Sequence, residues 1–110
     1  MSFSDYAEGK VLDHVFSIAA YTQPTLYLAV STANPTDAGT GMSEPSGNGY
    51  ARVTTAASGW SRTGDTVDNA TELAFPEATG SWGTLTHFAL YDALTGGNLV
   101  IHGSLTASKA

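Results

Sequence analysis

Phe75-Pro76-Glu77-Ala78-Thr79-Gly80-Ser81-Trp82-Gly83-Thr84-Leu85-Thr86-His87-Phe88-Ala89-Leu90-Tyr91-Asp92-Ala93-Leu94-Thr95-Gly96-Gly97-Asn98-Leu99 is the stretch on which the fold turns. An apolar strand end meets a Pro/Gly turn carrying one tryptophan. A short alternating strand follows, with Phe88 and Leu90 pointing together. Thr95-Gly96-Gly97-Asn98 then reads as a turn joining it to Leu99-Val100-Ile101-His102-Gly103-Ser104-Leu105 in a hairpin. The pattern sets turns and strand registers and collects no catalytic set.

Working outward, Thr25-Leu26-Tyr27-Leu28-Ala29-Val30-Ser31 alternates with period two, Leu26, Leu28 and Val30 on one face and Tyr27, Ala29 and Ser31 on the other. Tyr50–Thr55 and Thr66–Phe75 have strand character, and Trp60 lies near a turn. Between the first two strands, Thr32 to Asn48 holds two prolines and three glycines. Long loops in compact domains are uncommon, and this one is the expected exposed interaction loop, with Asn34, Pro35 and Met42 as candidate contact residues. At the N-terminus, Phe3, Ala7, Val11 and Val15 recur every four residues beside Tyr6, Leu12 and Phe16. Ser2 or Ser4 can cap this helix, and Asp5 and Glu8 suit the positive end of its dipole. The polar tail Thr106–Ala110 is expected to lead away from the core.

One helix and five to seven strands, with turn signals every 8–12 residues or so, predict a mainly β protein. The expected architecture is a single-domain β-sandwich or jelly-roll-like fold with one N-terminal α-helix. A chain of 110 residues has room for one core. The expected organisation is therefore a single domain over 1–110, with a helix at 2–17 and a sandwich at 24–107.

Charged residues make up 13% of the chain, about half the usual share, so Thr, Ser, Asn and Gly must supply the polar surface. Such surfaces are frequent in proteins packed against copies of themselves. The net charge is -6, and Lys10, Arg52, Arg62 and Lys109 are scattered. Nucleic acid and anionic membranes both require basic clusters, so neither is an expected partner. Cysteine is absent, which removes disulfides, thiolate nucleophiles and zinc–thiolate sites. There is no secretory signal pattern and no apolar run of membrane-spanning length; a soluble protein made in the cytoplasm is the expectation.

Chemistry has few places to reside. His14, His87 and His102 share no metal-ligand spacing, although adjacent strands can bring His87 and His102 together. Asp65-Thr66-Val67-Asp68-Asn69 has two carboxylates but too few oxygen ligands for a calcium loop, and turn-forming Asp and Asn explain it. No Gly-x-Ser-x-Gly elbow or phosphate cradle is present. No catalytic residue, cofactor or metal is expected. Trp60, Trp82, Tyr50 and Tyr91 suit either a sugar-stacking platform or core and interface packing, and packing is the favoured reading.

Several blocks together carry a family likeness: Phe3-Ser4-Asp5-Tyr6 with Val11-Leu12-Asp13-His14-Val15; Leu26 through Pro35; Gly49-Tyr50-Ala51-Arg52-Val53; Phe75-Pro76 with Ala78-Thr79-Gly80-Ser81-Trp82-Gly83; and His87-Phe88-Ala89-Leu90-Tyr91-Asp92 with Gly96-Gly97-Asn98-Leu99. In this order, from Phe3 to Lys109, the chain resembles a family of small tailed-phage virion proteins often labelled tail-fibre proteins. The resemblance implies a non-enzymatic structural role in the virion, the particle being assembled from protein made in the host bacterial cytoplasm, and it supplies no catalytic residue.

Fibres are usually long, trimeric and repetitive, whereas this chain is short and without a repeat. The expectation is therefore a capsid decoration (cement) subunit, a homotrimer stapled to the major capsid protein. The alternative is a tail-associated component of a fibre or tail tip that contacts tail proteins. A host-glycan-binding module is a further alternative, which exposed, coplanar Trp60 and Trp82 would favour. The candidate interface residues are Phe3, Tyr6, Val11, Val15 and Trp82, with Asn34, Pro35 and Met42 from the long loop.

Overall fold

The two alternating segments become the centre of a sheet. In the computed structural model, which describes residues 2–55, 59–64, 66–69, 75 and 77–109, the chain runs β1 (Ser2–Phe3), α1 (Asp5–Val15), β2 (Tyr27–Ser31), β3 (Val53–Thr54), β4 (Trp60–Thr63), β5 (Thr66–Asn69), β6 (Leu85–Tyr91) and β7 (Leu99–Lys109). Five strands form an antiparallel sheet in the order β1-β7-β6-β2-β3, while β4 and β5 make a separate hairpin. The fold is mainly β with one N-terminal helix.

Register assigns the faces. Tyr27, Ala29 and Ser31 lie opposite Tyr91, Ala89 and His87, while Leu28 and Val30 lie opposite Leu90 and Phe88. The second set continues to Ile101 and, at the edge, to Phe3. The first face is built from small residues at its centre, and Ala29 and Ala89 are fully enclosed. With so little side-chain bulk there, other chain can lie close on the sheet. Met42 packs against the cluster of Ala29, Ala89, Tyr91 and Leu99, and Pro35 is fully buried.

The segment 32–48 supplies that cover. Thr32 N–H donates to Ser43 O at 3.0 Å, and Ser43 N–H donates to Ser31 Oγ at 3.0 Å. His102 on β7 meets Asp37 Oδ1 at 2.8 Å. The tight return at Gly41 admits only glycine, since a Cβ there would sit 2.1 Å from Asn34 O. The loop expected to be exposed is therefore tied to the sheet between Thr32 and Glu44, where Pro35 and Met42 cover part of it, while most of its residues are exposed as expected. Two facing sheets, as a sandwich or jelly roll requires, are not evident among the described residues.

The remaining differences have local causes. The helix expected at 2–17 spans Asp5–Val15 because Ser4 caps it, its Oγ accepting Ala7 N–H at 3.1 Å. Ser2 and Phe3 instead pair with His102 and Ile101. The tail expected to leave the core continues β7 to Lys109, opposite Leu85. The strand expected at 66–75 appears as Thr66–Asn69, and residues 70–74 lie outside the described residues, as does Asp65 of the Asp65–Asn69 group.

The β6–β7 hairpin forms as expected, closed by Asn98 N–H donating to Asp92 Oδ1 at 2.7 Å. Its register shifts between Leu90 and Tyr91, leaving Val100 as the extra residue. The Val100 carbonyl accepts Ser4 N–H at 2.9 Å, and Ser4 Oγ donates to Leu99 O. Ser4 thus joins helix start to sheet, and it is almost fully buried. Ser4→Ala removes both the cap and the buried bond, and is expected to lower the unfolding free energy by about 1–2 kcal/mol in urea titrations followed by far-UV circular dichroism.

Candidate assembly surface

Helix α1 is turned outward. At about 100° per residue, Tyr6, Ala7, Lys10 and Asp13 fall on one side, and Val11, Leu12, Val15 and Phe16 on the other. Ala7 is buried, Tyr6, Lys10 and Asp13 are half-buried, and the apolar side is exposed. Val15 is 65%, Phe16 70% and Ile18, just beyond the helix, 74% exposed. A helix serving its own core shows the reverse arrangement. On the inward side, the Lys10 ammonium lies 5.5 Å from the centroid of the Tyr6 ring.

The eight residues singled out in the sequence separate into two groups. Phe3, Val11 and Val15 are exposed, while Tyr6 is half-buried. Pro35 and Met42 are spent within the chain, and Pro35 is enclosed, so it offers no contact to a partner. Asn34 is exposed and uses its side-chain oxygen to accept Thr36 N–H at 3.0 Å. Trp82 is half-buried, and its Nε1–H donates to Asn48 O at 2.8 Å. Leu12, Phe16 and Ile18 complete the exposed ridge without having been selected. The signal available was the persistence of large apolar residues past the last helical turn.

Arg52 holds the cover against the sheet. Its Nε and Nη2 donate to the two oxygens of Glu44 at 2.8 and 2.9 Å. Nη1 donates to Ala93 O and Gly96 O in the β6–β7 turn at 2.9 and 2.8 Å. The guanidinium also lies 4.0 Å from the Tyr91 ring centroid. Four of its five N–H donors are thereby used, and the side chain is only 7% exposed. Arg52 lines a recess of about 360 Å³ together with Glu44, Tyr50 and Leu94. It also lines one of about 350 Å³ that includes Tyr6, Asp37 and Asn98.

The Glu44 carboxyl is subject to opposing effects. Burial pushes its pKa up, but hydrogen bonds from Arg52 and Tyr50, with the Arg52 charge, prevail and leave it below the ordinary value. Burial, then the hydrogen bond to Glu44, raises the Tyr50 hydroxyl well above its usual range. The Tyr50 ring also stacks near Phe75, with centroids 6.1 Å apart, and meets Trp82 edge-on at 5.2 Å and 89°. Trp60 is half-buried and donates to Thr55 Oγ1 at 3.1 Å. The rings of Tyr50, Phe75 and Trp82 are thus engaged with one another, and Trp60 and Trp82, both half-buried, do not present an exposed platform. His87 and His102 sit on neighbouring strands but in different registers, opposite Ser104 and Ala89. Among the described residues, no group of three or more His, Asp or Glu side chains could hold a metal ion, and no helix is long and apolar enough to cross a membrane.

An outward apolar helix on a sheet braced by its own loop defines a β-rich protein with a candidate assembly surface. Compared with protein-family models, residues 2–110 match the family described as Podophage GP4 fiber I protein gp80. The chain belongs to that family, and with it to the tailed-phage virion structural proteins. A comparison with curated proteins gave no match. The family agrees with the resemblance carried by the sequence blocks. Its description names a fibre, in line with the tail-associated alternative, and lends no support to capsid decoration.

Removing Arg52 leaves Glu44 in a partly enclosed site without its cation, so Arg52→Ala is expected to cost about 3 kcal/mol of stability in urea unfolding. Because the folded Glu44 pKa lies below its ordinary value of 4.5, its contribution is complete above that pH and lost as pH falls through the folded value. Melting temperatures recorded from pH 7 to pH 3 are expected to fall less steeply for Glu44→Gln than for the native chain.

Proposed function

We propose that this chain is a non-catalytic structural subunit on the fibre side of a tailed-phage particle, attached by protein–protein contact through the exposed ridge of α1. The observation that carries this reading is the inverted helix: Tyr6, Ala7, Lys10 and Asp13 face the domain while Val11, Leu12, Val15 and Phe16 face out. Monomeric proteins rarely leave an apolar patch larger than a few hundred Å² uncovered. The fibre description of the family supports the tail over the shell as the location. The bracing by Arg52 fits a subunit whose task is to hold a rigid surface.

The test is fractionation of purified particles into heads and tail assemblies, with quantitative mass spectrometry of each. The chain is expected with the tail assemblies, in few copies relative to the major capsid protein. Val15→Asp and Phe16→Asp are expected to reduce its incorporation at least tenfold, with melting temperatures near the native one because both sites are exposed. Hundreds of copies on isolated heads would instead establish the capsid decoration reading.

A further inference from the structure

The ridge on α1 has an area, a charge layout and a direction, and these point to one occupant. Val11, Leu12, Val15 and Phe16 span an arc of about 140° around the helix, and Ile18 prolongs it. These five side chains, from 39% exposed at Val11 to 74% at Ile18, present on the order of 500 Å² of apolar surface. A standard interface buries about 800 Å² on each partner, with an apolar centre and a polar rim. The ridge is therefore large enough to be the centre of an interface with a surface of the same kind, and a second copy of this chain supplies one.

Charge sets the orientation. Asp5 and Glu8 occupy the same outward arc at the N-terminal end of α1, and both are exposed. Parallel packing around a common axis would gather these carboxylates at one end, where like charges repel. Antiparallel packing separates them by about the length of the helix, some 16 Å for eleven residues. Antiparallel helices pair their dipoles favourably as well.

We propose that two copies of this chain pair through α1 in an antiparallel, two-fold arrangement, with residue 8 of each copy opposite residue 15 of the other. The pairing is isologous, so one surface patch serves both copies. It rests on the reading of α1 as an assembly surface and adds the identity and direction of the occupant.

The experiment is size-exclusion chromatography with multi-angle light scattering on the full chain at tens of micromolar. The native chain is expected at twice the mass of one chain, and Val15→Asp at the mass of one with an unchanged far-UV circular dichroism spectrum. Orientation is read from crosslinking, for which the absence of native cysteine is convenient. Glu8→Cys and Val15→Cys chains, one isotopically labelled, are mixed and oxidised, and the mixed 8–15 disulfide is expected to dominate. A single-chain or triple mass for the native protein, or a dominant 8–8 disulfide, overturns the proposal. If the native chain is monomeric but Val15→Asp still blocks incorporation into particles, this pairing fails while the assembly reading of α1 stands.

Discussion

The structure depends on one side chain that joins three segments distant in sequence. Arg52 binds Glu44 in the covering loop, two carbonyls in the β6–β7 turn, and the face of Tyr91 on the sheet. A lysine could not do this, because only the planar guanidinium presents donors in several fixed directions while stacking flat on a ring. The bidentate geometry and low exposure place this pair outside the class of weak surface salt bridges. A chain so poor in charge concentrates its strongest ionic contact at the junction where loop, turn and strand must stay in register.

The Arg52 contact helps explain how one face of the five-stranded sheet is partly covered by a loop. The small residues Ala29, Ala89 and Ser31 leave space, Met42 fills part of it, and the Ser43 N–H bond to Ser31 Oγ and the His102–Asp37 contact fix the path of the loop. The helix is then not required as a lid. Only Ala7 among its residues is buried, and Ser4 ties its first turn to β7. The helix thus becomes a short rigid arm whose apolar side is turned away from the domain. The same features that free the helix from the core make it available for contact.

Much of this was legible in the sequence. Leu85–Tyr91 forms over the span that its alternation indicates, and the faces of β2 follow from period two because side chains in strands must alternate. The helix was visible from its four-residue spacing, but that spacing cannot say which way the apolar stripe points, and Phe3 continues the period while belonging to a strand. The covering role of 32–48 was hidden for a different reason. Pro35, Met42 and Glu44 lie in an aperiodic, glycine-rich segment, and no local pattern distinguishes a loop packed on a sheet from one in solvent. Arg52 carried no signal either, since its partners lie 8 and more than 40 residues away. Shell or fibre was not decided by composition, because a low charge content suits any crowded assembly.

The central claim is that the outward side of α1 is the surface this protein uses when assembled. Hydrogen–deuterium exchange on the free chain and on the same chain within purified particles tests it most directly. The account expects additional protection on assembly to centre on residues 11–18, with little change at the loop already fixed by Arg52 and Glu44. Unchanged exchange across 11–18, with new protection over 44–50 or along β7, would contradict it and move the contact surface to another side of the molecule.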